Sequence, residues 1–177
     1  MICEFNKDIV QKALFYASVK HKEQKMGRPP KQIPYATHFC GVALNAINFA
    51  SCENVDKTFM LTLALLHDTL EDTNTTYSEL VEEFGVRVAD GVKALSRNPE
   101  LPFEKQIPDC VERIKNQPKE VAIVKMADRL INIRKRFSGW TEEKQDAYKV
   151  EAQMICDELG YASVNFKQAL QKAINEY

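Results

Sequence analysis

The feature that most constrains this chain is an apolar run, Phe59-Met60-Leu61-Thr62-Leu63-Ala64-Leu65-Leu66, that breaks directly into His67-Asp68-Thr69-Leu70-Glu71-Asp72-Thr73. If run and sequel form one helix, successive residues turn by about 100° around its axis. His67 and Glu71 then fall one turn apart, as do Asp68 and Asp72. All four side chains would share one sector at the end of a buried rod. Burying charge is costly unless it is paired or metal-bound. Alone, the stretch admits two readings: a helix end reaching solvent, with a satisfied histidine and surface acids, or the wall of a site.

A chain of 177 residues suits one domain with a sizeable core, expected here to span residues 1–177. Hydrophobic content of 45% and charged content of 28% are ordinary for a soluble globular protein. A formal net charge of −1 gives no basic field to draw the chain onto nucleic acid or an anionic membrane. No apolar stretch approaches the roughly 20 residues of a membrane span. The five cysteines, Cys3, Cys40, Cys52, Cys110 and Cys156, contain no C-x-x-C pair. That pattern argues against a disulfide framework or structural zinc and for a reducing compartment. With no secretory signal at the N-terminus, the expected location is the cytoplasm.

Helical periodicity dominates and period-two strands are absent, so the fold expected is an all-α single domain. Asn6 is placed to cap a first helix reaching about Gln24. The segment from Lys25 to Pro34, punctuated by glycine and prolines, reads as a loop carrying Lys25, Arg28 and Lys31. A second helix follows over about 36–50, with His38 on the face of Val42, Ala46 and Phe49. The third starts near Val55 and carries the apolar run. Thr76 and Glu79 form a capping box for a helix ending at Gly85, and Val86 to Leu95 is another helix. Helicity from Phe103 to Asn116 is expected to break at Pro108. Pro118 starts a helix reaching about Arg136; Thr141 starts one to Leu159, and Ser163 one to about Asn175. Trp140 and Tyr148 are expected to pack.

In the helix after Pro118, Val121, Val124 and Ile131 define an apolar stripe, and Asp128 lies within its angular range. A carboxylate there needs a partner. Lys125, Arg129 or Arg134 could supply an ion pair, or the partner could be a metal. His38, His67, Asp68 and Asp128 come from core-facing or core-ending positions on three helices. Two imidazoles and two carboxylates suit a divalent ion such as Mn²⁺ or Fe²⁺, with Zn²⁺ also compatible. Helix bundles build metal sites from such inward residues on facing helices.

The set His38…His67-Asp68…Asp128 resembles the metal ligands of HD-superfamily phosphohydrolases. His67-Asp68-Thr69-Leu70-Glu71-Asp72-Thr73, together with Lys125-Met126-Ala127-Asp128-Arg129-Leu130-Ile131-Asn132-Ile133-Arg134, is similar to the hydrolase domain of RelA/SpoT enzymes. Pro34-Tyr35-Ala36-Thr37-His38 and Gly41-Val42-Ala43 resemble that domain's histidine segment. The resemblance implies an HD-type helical bundle of about eight to ten helices, similar to the stand-alone small alarmone hydrolases. It implies a metal-dependent pyrophosphohydrolase that releases pyrophosphate from the 3′ position of guanosine 3′,5′-bis(diphosphate), with Mn²⁺ or another divalent ion. By the same resemblance, His38, His67, Asp68 and Asp128 ligate the metal, Glu71 and Asp72 handle the attacking water, and Asn132 faces the ribose.

On the substrate side, Lys25, Arg28 and Lys31 are candidates to clamp diphosphate or stack on a base, with a solvated charge run as the plainer reading. Arg129 and Arg134 are further phosphate-contact candidates, with surface salt bridges as the alternative. Two other functions stay open: an HD phosphohydrolase for another nucleotide, such as a 5′-nucleotide or NADPH, and a metal- or nucleotide-binding module without turnover. Neither nucleic acid nor membrane is expected as a partner.

Overall fold

The computed structural model describes residues 5–27, 32–49, 54–135 and 139–177. Among the described residues, ten α-helical segments account for nearly all regular structure: α1 Lys7–Lys20, α2 Ala36–Phe49, α3 Lys57–Leu66, α4 Thr69–Asp72, α5 Tyr77–Phe84, α6 Val86–Leu95, α7 Phe103–Lys115, α8 Lys119–Ile133, α9 Glu142–Leu159 and α10 Val164–Glu176. A 3₁₀ turn, Gly160–Ala162, joins the last two. The all-α expectation holds. No helix among the described residues is long and apolar enough to cross a membrane.

Local chemistry sets most boundaries. Asn6 accepts hydrogen bonds from the N–H groups of Asp8 and Ile9, and Asp56 from that of Phe59. The Thr76–Glu79 capping box is closed in both directions. Thr141 and Ser163 cap α9 and α10 by accepting from the N–H groups of Lys144 and Phe166. Such caps satisfy N–H groups that a helix start leaves without partners. Gly85 separates α5 from α6 at φ 83°, a conformation that favours glycine.

Three expectations need correction. Helix α1 ends at Lys20 and not near Gln24, because His21 caps it and the chain turns. The segment read as a loop contains a small antiparallel pair, β1 Lys25–Met26 with β2 Ile33–Pro34. Helix α7 continues through Pro108. That proline forfeits only the bond to the carbonyl of Glu104, a residue at the exposed start of the helix where water can replace it.

Helices α3 and α8 form the core. Every residue of α3 from Phe59 to Leu66 is buried, as is every residue of α8 from Glu120 to Ala127. Helix α3 packs against α1, α2, α6 and α8, while α8 packs against α2, α3, α6, α7, α9 and α10. At Gly91 of α6 an added Cβ would stand 2.7 Å from Leu63 Cδ2, so this glycine permits the close approach to α3. The C-terminal end of α3, the first turn of α2 and the last turns of α8 thereby meet in one place.

Candidate metal centre

His38 enters this meeting point from the first turn of α2, His67 caps α3, Asp68 follows at once, and Asp128 projects from α8. The apolar run and its acids are not one continuous helix: α3 stops at Leu66, and a new turn, α4, starts after Asp68. Ligand atoms of His38, His67 and Asp128 lie within 4.8 Å of one another. Asp68 Oδ2 joins them at 3.3 Å from His38 Nε2 and 2.9 Å from His67 Nε2. Asp128 Oδ1 lies 3.2 Å from His38 Nε2 and 3.8 Å from His67 Nε2.

His67 is prepared as a ligand. Its Nδ1 lies 2.8 Å from the carbonyl oxygen of Ala64, a group that only accepts, so Nδ1 carries a proton and, in the neutral ring, Nε2 presents its lone pair. That Nε2 is buried without a hydrogen-bond partner among the described residues, although Asp68 Oδ2 is close. A short approach outside hydrogen-bond geometry is what donors aimed at one common point produce. His38 lacks the comparable anchor, since its Nδ1 is buried and without a partner among the described residues.

Electrostatics agree with a cation at this point. Burial opposes charge on both imidazoles, yet Asp68 and Asp128 outweigh it and raise His38, and His67 well above its ordinary value. Burial likewise pushes the two carboxyls up, but His67 and His38 overcome it and hold Asp68 and Asp128 well below the carboxylate range. Two partly buried carboxylates therefore draw positive charge to this point. Protons on the imidazoles satisfy them in the bare protein, and a divalent ion can replace those protons. The donor set, the orphaned Nε2 and the excess negative charge fit such an ion.

Further groups hold the candidate ligands from outside; of these the sequence singled out Asn132, expected to face the ribose, but not Tyr35 or Lys135. Tyr35 donates its hydroxyl to Asp68 Oδ2 at 2.5 Å. Burial, with Asp68 next, raises its phenol well above the ordinary value, so it remains a donor. Asn132 donates to Asp128 Oδ1 at 2.6 Å and accepts from Lys135 Nζ at 3.3 Å. Lys135 is half-buried, and burial lowers its pKa against the pull of Asp128 and Asp68. The signal for it was available: Asp128, Asn132 and Lys135 follow the i, i+4, i+7 spacing of one helical face.

The two acids beyond the ligands do not form a pair. Glu71 Oε2 accepts the backbone N–H of Arg97 at 2.9 Å, with the Arg97 guanidinium 3.7 Å from Oε1. Asp72 Oδ2 accepts from Gln24 Nε2 at 2.9 Å, on the side of α1. Both are exposed and flank the centre from different neighbours.

The basic candidates separate. Lys25 is exposed on β1 and Arg134 is exposed at the end of α8, while Arg28 and Lys31 lie outside the described residues. Arg129 is only 3% exposed and points elsewhere: it pairs with Glu151 at 3.2 Å and lies over the Tyr148 ring at 4.1 Å. It ties α8 to α9 and does not reach the surface as a phosphate contact. Trp140 packs edge-on against Tyr148, 5.2 Å between centroids.

A family model described as "HD domain" matches residues 13–160. A guanosine-3′,5′-bis(diphosphate) 3′-pyrophosphohydrolase of Xenopus tropicalis is 34% identical over 145 residues, covering 79% of this chain and 78% of that one. A protein of the same description from Aquifex aeolicus is 32% identical over 149 residues, covering 82% of this chain but 20% of its own length. A solved structure of a metazoan ortholog of SpoT that hydrolyses ppGpp superposes with a TM-score of 0.83 at 25% identity, covering 98% of both chains.

Proposed function

The chain belongs to the HD-domain family, and from that premise we propose that it is a metal-dependent phosphohydrolase that removes pyrophosphate from guanosine 3′,5′-bis(diphosphate). The observation that carries the reading is the convergence of His38, His67 and Asp128, with Asp68 beside them, at the junction of α2, α3 and α8. These four residues would hold a divalent ion, Mn²⁺ in our reading. When bound, that ion supplies Lewis acidity to phosphoryl oxygens and acidifies a neighbouring water.

The rest of the chemistry belongs to the chain. Water adds to the phosphorus next to O3′, the bond from that phosphorus to O3′ breaks, and the products are pyrophosphate and guanosine diphosphate. One water proton passes to a carboxylate and O3′ gains a proton as it leaves, so the step balances. In this reading Asp72 and Glu71 accept and return that proton, work that contributes about 10²–10⁴-fold when positioned. Asn132 orients Asp128 through its amide while lying one turn further along α8. Lys135, a half-buried ammonium close to Asp128 and Asp68, supplies positive charge for a phosphoryl group. Lys25, Arg28, Lys31 and Arg134 remain the candidates for the distal phosphates and base.

A substrate panel with Mn²⁺ tests the assignment: guanosine 3′,5′-bis(diphosphate), 5′-nucleotides and NADPH, read by pyrophosphate and phosphate release. Pyrophosphate from the first substrate alone is expected, abolished by chelation and in Asp68→Ala. Phosphate from one of the others, with the bis(diphosphate) untouched, would transfer the same metal chemistry to a different nucleotide. Tight binding without turnover under any divalent ion would leave a binding module.

A further inference from the structure

Beside the metal centre, the turn that closes α1 holds a second ordered arrangement. His21 caps the helix and is buried, its ring stacked on Tyr35 with centroids 4.8 Å apart. Its Nδ1 lies 2.6 Å from Gln24 Oε1, and Gln24 Nε2 donates to Asp72 Oδ2 at 2.9 Å. The direction of every bond follows from one end. An ionised carboxylate only accepts, so Gln24 turns its NH₂ group toward Asp72. Its carbonyl oxygen then faces His21, and Nδ1 must carry the ring proton. In the neutral ring that leaves the opposite nitrogen, Nε2, as an acceptor, and it is buried without a partner among the described residues.

The backbone frames the same contacts. The N–H of Gln24 donates to the carbonyl of His21 at 2.9 Å, and that of Tyr35 to the carbonyl of Gln24 at 3.1 Å. A helix end needs none of this. Glycine or asparagine commonly closes one without a buried imidazole, and an orphaned buried nitrogen lowers stability.

We propose that His21 and Gln24 are positioning residues for Asp72: the Nδ1–H tautomer of His21 orders the Gln24 amide, and the amide holds the Asp72 carboxylate in the orientation from which it takes the water proton. The inference rests on the role given to Asp72 above. The same ring lies against Tyr35, whose hydroxyl donates to Asp68.

The tautomer is read directly in an imidazole ¹H–¹⁵N spectrum of the protein loaded with diamagnetic Mg²⁺. His21 is expected as Nδ1–H, with the preference released in Gln24→Met; an Nε2–H form in the wild type overturns the relay. Kinetics give the second readout. His21→Asn keeps a donor near the Nδ1 position without the ring, His21→Phe keeps the stacked ring without the donor, and Gln24→Met breaks the next link. The relay requires kcat to fall by about tenfold in His21→Phe and Gln24→Met, a fraction of what a positioned base contributes. KM and metal affinity should hold, and His21→Asn should stay near wild type.

Normal turnover in Gln24→Met, or turnover that follows the ring and not the donor, overturns the proposal. Should a His21 variant fail to fold, Gln24→Met and the spectrum decide. Asp72→Asn is the reference background, in which Gln24→Met should add nothing. A fully active Asp72→Asn protein would instead remove the proton role of Asp72 itself, while the tautomer still reports on the relay.

Discussion

Tyr35 stands three residues before His38 and places its hydroxyl on Asp68 Oδ2. Partners of this kind, which hold a ligand in line, typically control metal affinity or activity by about 10–100-fold. Tyr35→Phe keeps the ring on His21 and removes only the donor. Metal titration of that variant is expected to show affinity weaker by about 10–100-fold with little change in fold; unchanged affinity and turnover would mean that Asp68 needs no help. His38 and Asp128 were legible because each is a polar residue on an apolar helical face, where burial demands a partner. Tyr35 and His21 were not, since both lie at turns where no periodicity tells inside from outside. Arg129 shows the reverse error. A cation next to Asp128 in sequence is turned about 100° away on the helix, and here that direction leads to Glu151 of α9.

Helix α3 carries two of the four candidate ligands at its end, so its seating against α6 matters more than its own sequence suggests. The seat is Gly91, whose missing side chain admits the Leu63 side chain. Gly91→Val would gain part of the roughly 1 kcal/mol helix penalty of glycine, but must displace a fully buried leucine, and overpacking costs about 1–3 kcal/mol. A net loss of stability is therefore expected, read as a lower urea midpoint with an unchanged slope; a midpoint at or above wild type would show that Leu63 can move aside. Caps and capping boxes made the helix boundaries readable, because their side chains act within four residues. The hairpin and the unbroken α7 were not readable. Pairing Lys25 with Pro34 depends on tertiary closure, and the cost at Pro108 depends on which carbonyl loses its donor.

At the scale of the whole molecule, protons and metal compete for one site. The raised values of His38 and His67 stabilise the metal-free protein fully below the ordinary histidine pKa of about 6.5, and that contribution disappears as pH rises through the folded-state values. The lowered values of Asp68 and Asp128 contribute above about pH 4 and are lost as pH falls through theirs. Metal requires unprotonated imidazoles, and at one hundred times its dissociation constant an ion adds about 2.7 kcal/mol. The gap in Tm between metal-loaded and stripped protein is thus expected to widen from pH 6 to pH 8. A constant gap would argue against His38 and His67 as ligands. The long span between Asp68 and Asp128 has a consequence for the protein as it is made. His38, His67 and Asp68 have all left the ribosome before α8 emerges, and Asp128 follows Asp68 by sixty residues. Until α8 docks against α2 and α3, a nascent chain can offer an ion an incomplete grip only. Loading is then a late event in biogenesis, and a firmly held ion certifies that the core has closed.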